Sequence, residues 1–172
     1  MLSSLRRFDK SEIAKERLKI SAIDAKGKFA FILNYKRLNS RNMKDFYQKF
    51  KTVYPGRIKD WQSDNGKENL GEFSKELEKE EIPHLFSYPN CPRINGIIER
   101  YNRTIQEEFI NNNLEVIDDK IVFNKRLAEY LVFYKTKRVH KSLGLKSPVD
   151  YLISENLMSK KCVTYTIFLL LH

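Results

Sequence analysis

The sequence has little cysteine, no long hydrophobic run and a deficit of acid. Its two cysteines, Cys91 and Cys162, lie far apart with no metal-ligand spacing. They exclude a disulfide framework and a zinc site, and the expectation is two reduced thiols. No apolar segment follows the stretch Met1 to Arg7, so no signal peptide is expected. The apolar tail Val163 to Leu171 is about half the length a bilayer span requires, and is expected to be a terminal strand or a frayed end. No internal repeat and no linker long enough to split the chain into two domains is present.

What is there is a foldable, basic chain. Across 172 residues, 41% are hydrophobic and 12% aromatic, enough for one domain with a substantial core. Lys and Arg total 32 against 22 Asp and Glu, a formal net charge of +10. A polyanion is therefore the first partner to consider, against the plainer reading of a merely soluble basic protein.

Residues 1–17 are charged and weakly patterned, and could hold a first strand. Leu18 to Ile23 and Phe29 to Leu33 read as strands joined by a turn at Ala25-Lys26-Gly27-Lys28. Ser40 suits an N-cap. Met43, Phe46, Tyr47 and Phe50 follow at helical spacing until Tyr54-Pro55-Gly56 stops the helix. Ile58 to Ser63 reads as a strand leading to Asp64, and Asn65-Gly66 is a turn signal that ends it there. Phe73, Leu77 and Ile82 mark one face of a short helix closed by Pro83, and His84 to Tyr88 reads as the next strand. Asn90 to Gly96 is expected to be a loop, with a helix beginning near Ile97. On it Ile98, Tyr101, Ile105 and Phe109 form an apolar stripe, which leaves Glu99, Asn102, Arg103 and Gln106 on the other side. A further helix spans Ile117 to Tyr134, followed by the basic stretch Lys135 to Lys141.

This order places the Asp64 carboxylate at a strand exit and the Glu99 carboxylate on a helix. Two carboxylates brought together repel by roughly 4 kcal/mol at an effective dielectric of about 20, unless a proton or a cation compensates. A divalent metal is the natural compensator.

Ser63-Asp64-Asn65-Gly66, Tyr88-Pro89 with Pro92, and Asn95 to Arg103 in the run Asn-Gly-Ile-Ile-Glu-Arg-Tyr-Asn-Arg resemble the catalytic core of the DDE transposases and retroviral-type integrases. Ala22-Ile23-Asp24, and the ending His140 to Gly144 with Ser147-Pro148, look like the bacterial insertion-sequence branch of that family. The likeness covers residues 18–152, with 153–172 as a C-terminal tail. Asp-Asn-Gly alone occurs in many turns, whereas five motifs in order are specific.

The resemblance implies an α/β fold of the ribonuclease H-like kind, a mixed sheet flanked by helices. It also implies three acidic residues that hold two magnesium or manganese ions. Asp64 matches the second acidic position and Glu99 the third. Asp9 is the only acidic residue near the first position, and Asp24 matches a position outside the trio. The implied chemistry is phosphodiester hydrolysis followed by attack of the exposed 3′-hydroxyl on target DNA. The implied partners are element ends and target DNA, with at least a dimer on DNA, no membrane, and a cytoplasmic, nucleoid-associated location in a bacterium. Arg100, Arg103, Lys137, Arg138 and Lys141 are candidate contacts to the DNA backbone, whereas His140 is a loop anchor in preference to a catalytic base.

Two rival readings stay open at this point. One is a remnant that binds DNA or its full-length relatives with an incomplete metal site. The family's upstream helix-turn-helix region has no counterpart in these residues, so recognition of element ends is not expected of this chain alone. The other rival is a ribonuclease H-type nuclease with the same metal chemistry, against which the helix around Glu99 and the His-Lys-Ser-Leu-Gly ending argue.

Overall fold

The computed structural model describes residues 20–86 and 92–158, and of residues 92–95 the backbone alone. Asp9, Cys91, Cys162 and the apolar tail lie outside the described residues. Strands β1 (Ile20–Ile23) and β2 (Ala30–Leu33) form an antiparallel hairpin in which Ile20 faces Leu33 and Ile23 faces Ala30. Helix α1 (Ser40–Val53) follows, then β3 (Trp61–Ser63), α2 (Glu72–Lys79) and β4 (His84–Phe86). β3 and β4 pair in parallel, Trp61 opposite His84 and Ser63 opposite Phe86. The chain continues through α3 (Pro92–Ile105), a π turn over Gln106–Ile110, α4 (Lys120–Thr136) and α5 (Pro148–Ser154). Antiparallel and parallel pairs with helices packed on both sides make this the mixed α/β architecture that the motifs imply.

The hairpin is buried on both faces, and its period-two alternation assigns each side chain to a layer. Ala30 and Ile32 join one core with Tyr101, Ile105 and Phe109 of α3 and its π turn and Phe123, Leu127, Leu131 and Tyr134 of α4. Ile20 and Phe29 enter the other, with Met43, Phe46, Tyr47 and Phe50 of α1, Trp61, and Phe73 and Leu77 of α2. Phe29 to Leu33 is consequently an unbroken apolar run.

The hairpin turn is locked by Asp24, whose carboxylate accepts from the Lys26 amide at 3.0 Å, the Gly27 amide at 2.9 Å and the Tyr54 hydroxyl at 3.0 Å. Tyr54 thereby ties the turn to the end of α1. A Cβ on Gly27 would lie 2.6 Å from Asp24 Oδ2 and 2.8 Å from Leu152 Cδ2, so the approach of α5 to the turn requires glycine.

Several boundaries differ from expectation: the strand read from Ile58 to Ser63 is confined to Trp61–Ser63. Asn39 caps α1, its side chain accepting from the Asn42 amide at 2.9 Å. Ser40 is instead the first helical residue, donating to the Leu70 carbonyl and accepting from the Phe73 amide at 2.9 Å. Both residues suit a cap, and the tertiary contact claims the serine. The fourth helix of the sequence reading starts at Lys120, with Asp119 as cap accepting from the amides of Ile121 and Val122.

The largest shift is in α3, which begins at Pro92 and not near Ile97. Proline is tolerated at the first helical position because its missing N–H would have no intrahelical partner there. Asn95-Gly96 is thus helical, and a Cβ on Gly96 would meet nothing within 4 Å among the described residues. Gly96→Ala is expected to raise stability by about 0.5–1 kcal/mol through reduced backbone entropy. An upward shift of the urea midpoint checks this; a downward shift would mean that Gly96 needs its conformational freedom.

Candidate metal and nucleic-acid site

β3 is three residues long and is held from below. Trp61 packs edge-on against Phe46, Tyr47, Phe50 and Phe73, at centroid distances of 5.3 to 6.4 Å. The strand stops after Ser63 because Asn65-Gly66 turns the chain, and Asp64 emerges exposed at that exit. The Asp64 side chain is fixed on one side only. Its Oδ1 accepts from the Gly66 amide at 3.1 Å and from Asn69 Nδ2 at 2.7 Å. Among the described residues its Oδ2 accepts no hydrogen bond.

A polar network underlies the strand exit. Ser63 Oγ lies 2.8 Å from His84 Nε2, and Ser74 Oγ donates to the Asn69 carbonyl at 2.8 Å. Burial lowers the His84 pKa below its ordinary value, so this imidazole is neutral near pH 7.

Glu99 sits on α3 where the stripe dictates. Tyr101, Ile105 and Phe109 are buried and Ile98 is partly so, packed against the same core. Glu99, Arg100, Asn102 and Arg103 are exposed. Among the described residues Glu99 makes no ion pair. Among the described residues, which do not include Asp9, no group of three His, Cys, Asp or Glu side chains is gathered to hold a metal. The donor chemistry of Asp64 and Glu99 nevertheless fits a hard divalent cation, which takes carboxylate oxygens and keeps positions open for phosphate.

The five candidate DNA contacts are not equivalent. Arg100, Arg103, Lys137 and Lys141 are exposed. Arg138 is half-buried and committed elsewhere: its Nε lies 3.0 and 2.8 Å from the two carboxylate oxygens of Glu108, and its guanidinium covers the Tyr134 ring at 5.5 Å. The Tyr130 hydroxyl donates to Glu108 Oε2 at 2.8 Å. The Arg138 contact and that hydrogen bond hold the Glu108 carboxyl below its usual range despite partial burial. Glu108 was not singled out by sequence reasoning, since no local pattern links it to a partner thirty residues on.

His140 behaves as an anchor. Its amide donates to the Lys146 carbonyl at 3.1 Å, and its ring meets Tyr134 edge-on at 5.1 Å. Burial, reinforced by the Arg138 cation, pushes its pKa down to about 4. Lys135 also escaped the list of contacts: its ammonium lies 5.1 Å over the Phe29 ring, and burial lowers its pKa to about 8.

A family model described as integrase core domain matches residues 80–148, a span that includes Glu99, the buried stripe and the basic stretch. The predicted integrase ORF3 of Spiroplasma virus SpV1-C74 is 28% identical over 153 residues, covering 79% of this chain. The catalytic core domain of BIV integrase superposes with a TM-score of 0.63 at 18% identity, covering 79% of this chain and 86% of that one. Residues 80–148 match an integrase core domain, and the fold is that of an integrase catalytic core. The shared fold is ribonuclease H-like, as the motifs imply. The chain spans 42% of the length of the viral relative. No helix among the described residues of this core is long and apolar enough to cross a membrane.

Proposed function

We propose that this integrase-type core breaks and joins DNA, by hydrolysis of a phosphodiester to expose a 3′-hydroxyl and attack of that hydroxyl on target DNA. The reading is carried by the Asp64 carboxylate, fixed through Oδ1 and open at Oδ2 at the exit of β3, in a core whose family match includes Glu99. Asp64, Glu99 and Asp9 would hold the divalent cations. Two magnesium or manganese ions, when bound, supply activation of the attacking oxygen and stabilisation of the leaving one in an in-line displacement.

The protein's own part is positional. The Asn65-Gly66 turn ends the strand so that Asp64 faces solvent, and the buried stripe of α3 holds Glu99 outward. Arg100, Arg103, Lys137 and Lys141 offer cations to the phosphate backbone in a sequence-independent way. Joining two element ends calls for at least two copies on the DNA.

Calorimetric titration of manganese into the protein and into Asp9→Ala tests the proposal without knowledge of the DNA ends. Tight binding that is lost in Asp9→Ala is the expected result and means a complete acidic trio. Weak binding indifferent to Asp9 would overturn it in favour of a core that binds DNA or its relatives without catalysis.

A further inference from the structure

We infer that Asn69 is a positioning residue that orients the Asp64 carboxylate for a divalent cation, an inference that rests on the reading of Asp64 as a metal ligand. Asn69 is one of two buried polar side chains in the described core, 4% exposed, and lies in the 3₁₀ turn Lys67–Asn69 beyond the strand exit. A buried carboxamide is retained only where its hydrogen bonds are made. Its Nδ2 makes two, to Asp64 Oδ1 at 2.7 Å and to the Asp64 carbonyl at 3.2 Å. One amide thus clamps the backbone and the side chain of the same residue.

The clamp is itself braced. The Asn69 amide donates to the Gly66 carbonyl at 3.0 Å, and the Asn69 carbonyl accepts from Ser74 Oγ at 2.8 Å. Side-chain freedom at Asp64 is therefore removed by a group that does not titrate and cannot compete for the cation, since its N–H faces the carboxylate. With Oδ1 taken by two donors, the carboxylate presents Oδ2, and its rotamer is set before any cation arrives. The partners that orient ligands in this way typically govern affinity by about 10- to 100-fold.

The test is manganese titration into the full chain carrying Asn69→Ala, Ser74→Ala or Asp64→Asn, each first checked for its fold by near-ultraviolet circular dichroism and thermal midpoint. Asn69→Ala is expected to keep the fold and lose manganese affinity by about tenfold or more. Ser74→Ala, which removes a brace of the same turn but leaves the amide on Asp64, is expected to lower the midpoint and keep the parent's affinity. A purely structural Asn69 would make the two variants behave alike, and that outcome overturns the inference. Parent-like affinity in Asn69→Ala beside lost binding in Asp64→Asn overturns the inference alone. Parent-like affinity in Asp64→Asn overturns the assignment of Asp64 and the inference with it. Asn69→Ser, whose hydroxyl is too short to reach Oδ1, replaces the alanine variant if that fails to fold; failure of both makes Asn69 structural and overturns the inference.

Discussion

Asp64→Asn and Glu99→Gln are each expected to abolish manganese binding while the fold stays intact. The expectation separates charge from shape. In Asp64→Asn the amide oxygen can replace Oδ1 as acceptor for the Gly66 amide and Asn69 Nδ2, so the turn keeps both hydrogen bonds. What disappears is the anionic oxygen at the Oδ2 position, and a neutral amide nitrogen there cannot ligate a hard cation. Glu99 is exposed on α3 and makes no ion pair among the described residues. Its replacement by glutamine should therefore change stability by no more than about 0.5 kcal/mol. Isothermal titration with manganese, run beside urea unfolding of each variant, checks both halves. A variant that binds manganese as the parent does would sink the site assignment; lost binding with lost fold would show that the carboxylate was structural.

Phe73→Ala is expected to cost about 3–5 kcal/mol, the range for truncating a buried phenylalanine. The side chain is fully buried. It meets Tyr47 at 6.0 Å, Trp61 at 5.8 Å and His84 at 5.4 Å, all edge-on. It therefore joins α2 to α1, β3 and β4 at once, and removing it opens a cavity beneath the short strand that delivers Asp64. Domains of this size are held by only about 5–15 kcal/mol in total. The fluorescence of Trp61, the single tryptophan, reports unfolding in urea from inside the affected cluster. A fall in the midpoint at unchanged slope is expected, with Leu70→Ala, an exposed neighbour, as the near-neutral control. A loss below about 1 kcal/mol would mean that the cavity collapses and the aromatic cluster is not what supports β3.

The parts of this molecule that local chemistry specifies are the parts its sequence makes legible. The stripe Ile98, Tyr101, Ile105 and Phe109 is buried as its spacing requires, because helical geometry alone decides which residues share a face. Asp64 stands at a strand exit because Asn65-Gly66 turns there whatever the surroundings. Short-range reasoning fails where two local solutions are equally good. Asn39 and Ser40 both suit an N-cap, and the choice falls to Asn39 because Ser40 is engaged with Leu70 and Phe73. Pro92 reads equally as a loop residue or as the first residue of a helix, and the fold takes the second.

The sequence by itself determined the hairpin, the order of elements, the exposed carboxylates and the excess of positive charge. All of these follow from periodicity, turn chemistry and composition, which act over a few residues. Only the tertiary structure decided that Arg138 belongs to Glu108, that Lys135 lies over Phe29, and that Asn69 returns to clamp Asp64. The Glu108–Arg138 and Phe29–Lys135 contacts join residues far apart in the chain. The Asn69–Asp64 contact spans only five residues, but it requires the buried setting of the 3₁₀ turn. Each is selected by the desolvation of a charged or polar group, a quantity that exists only once the layers have packed.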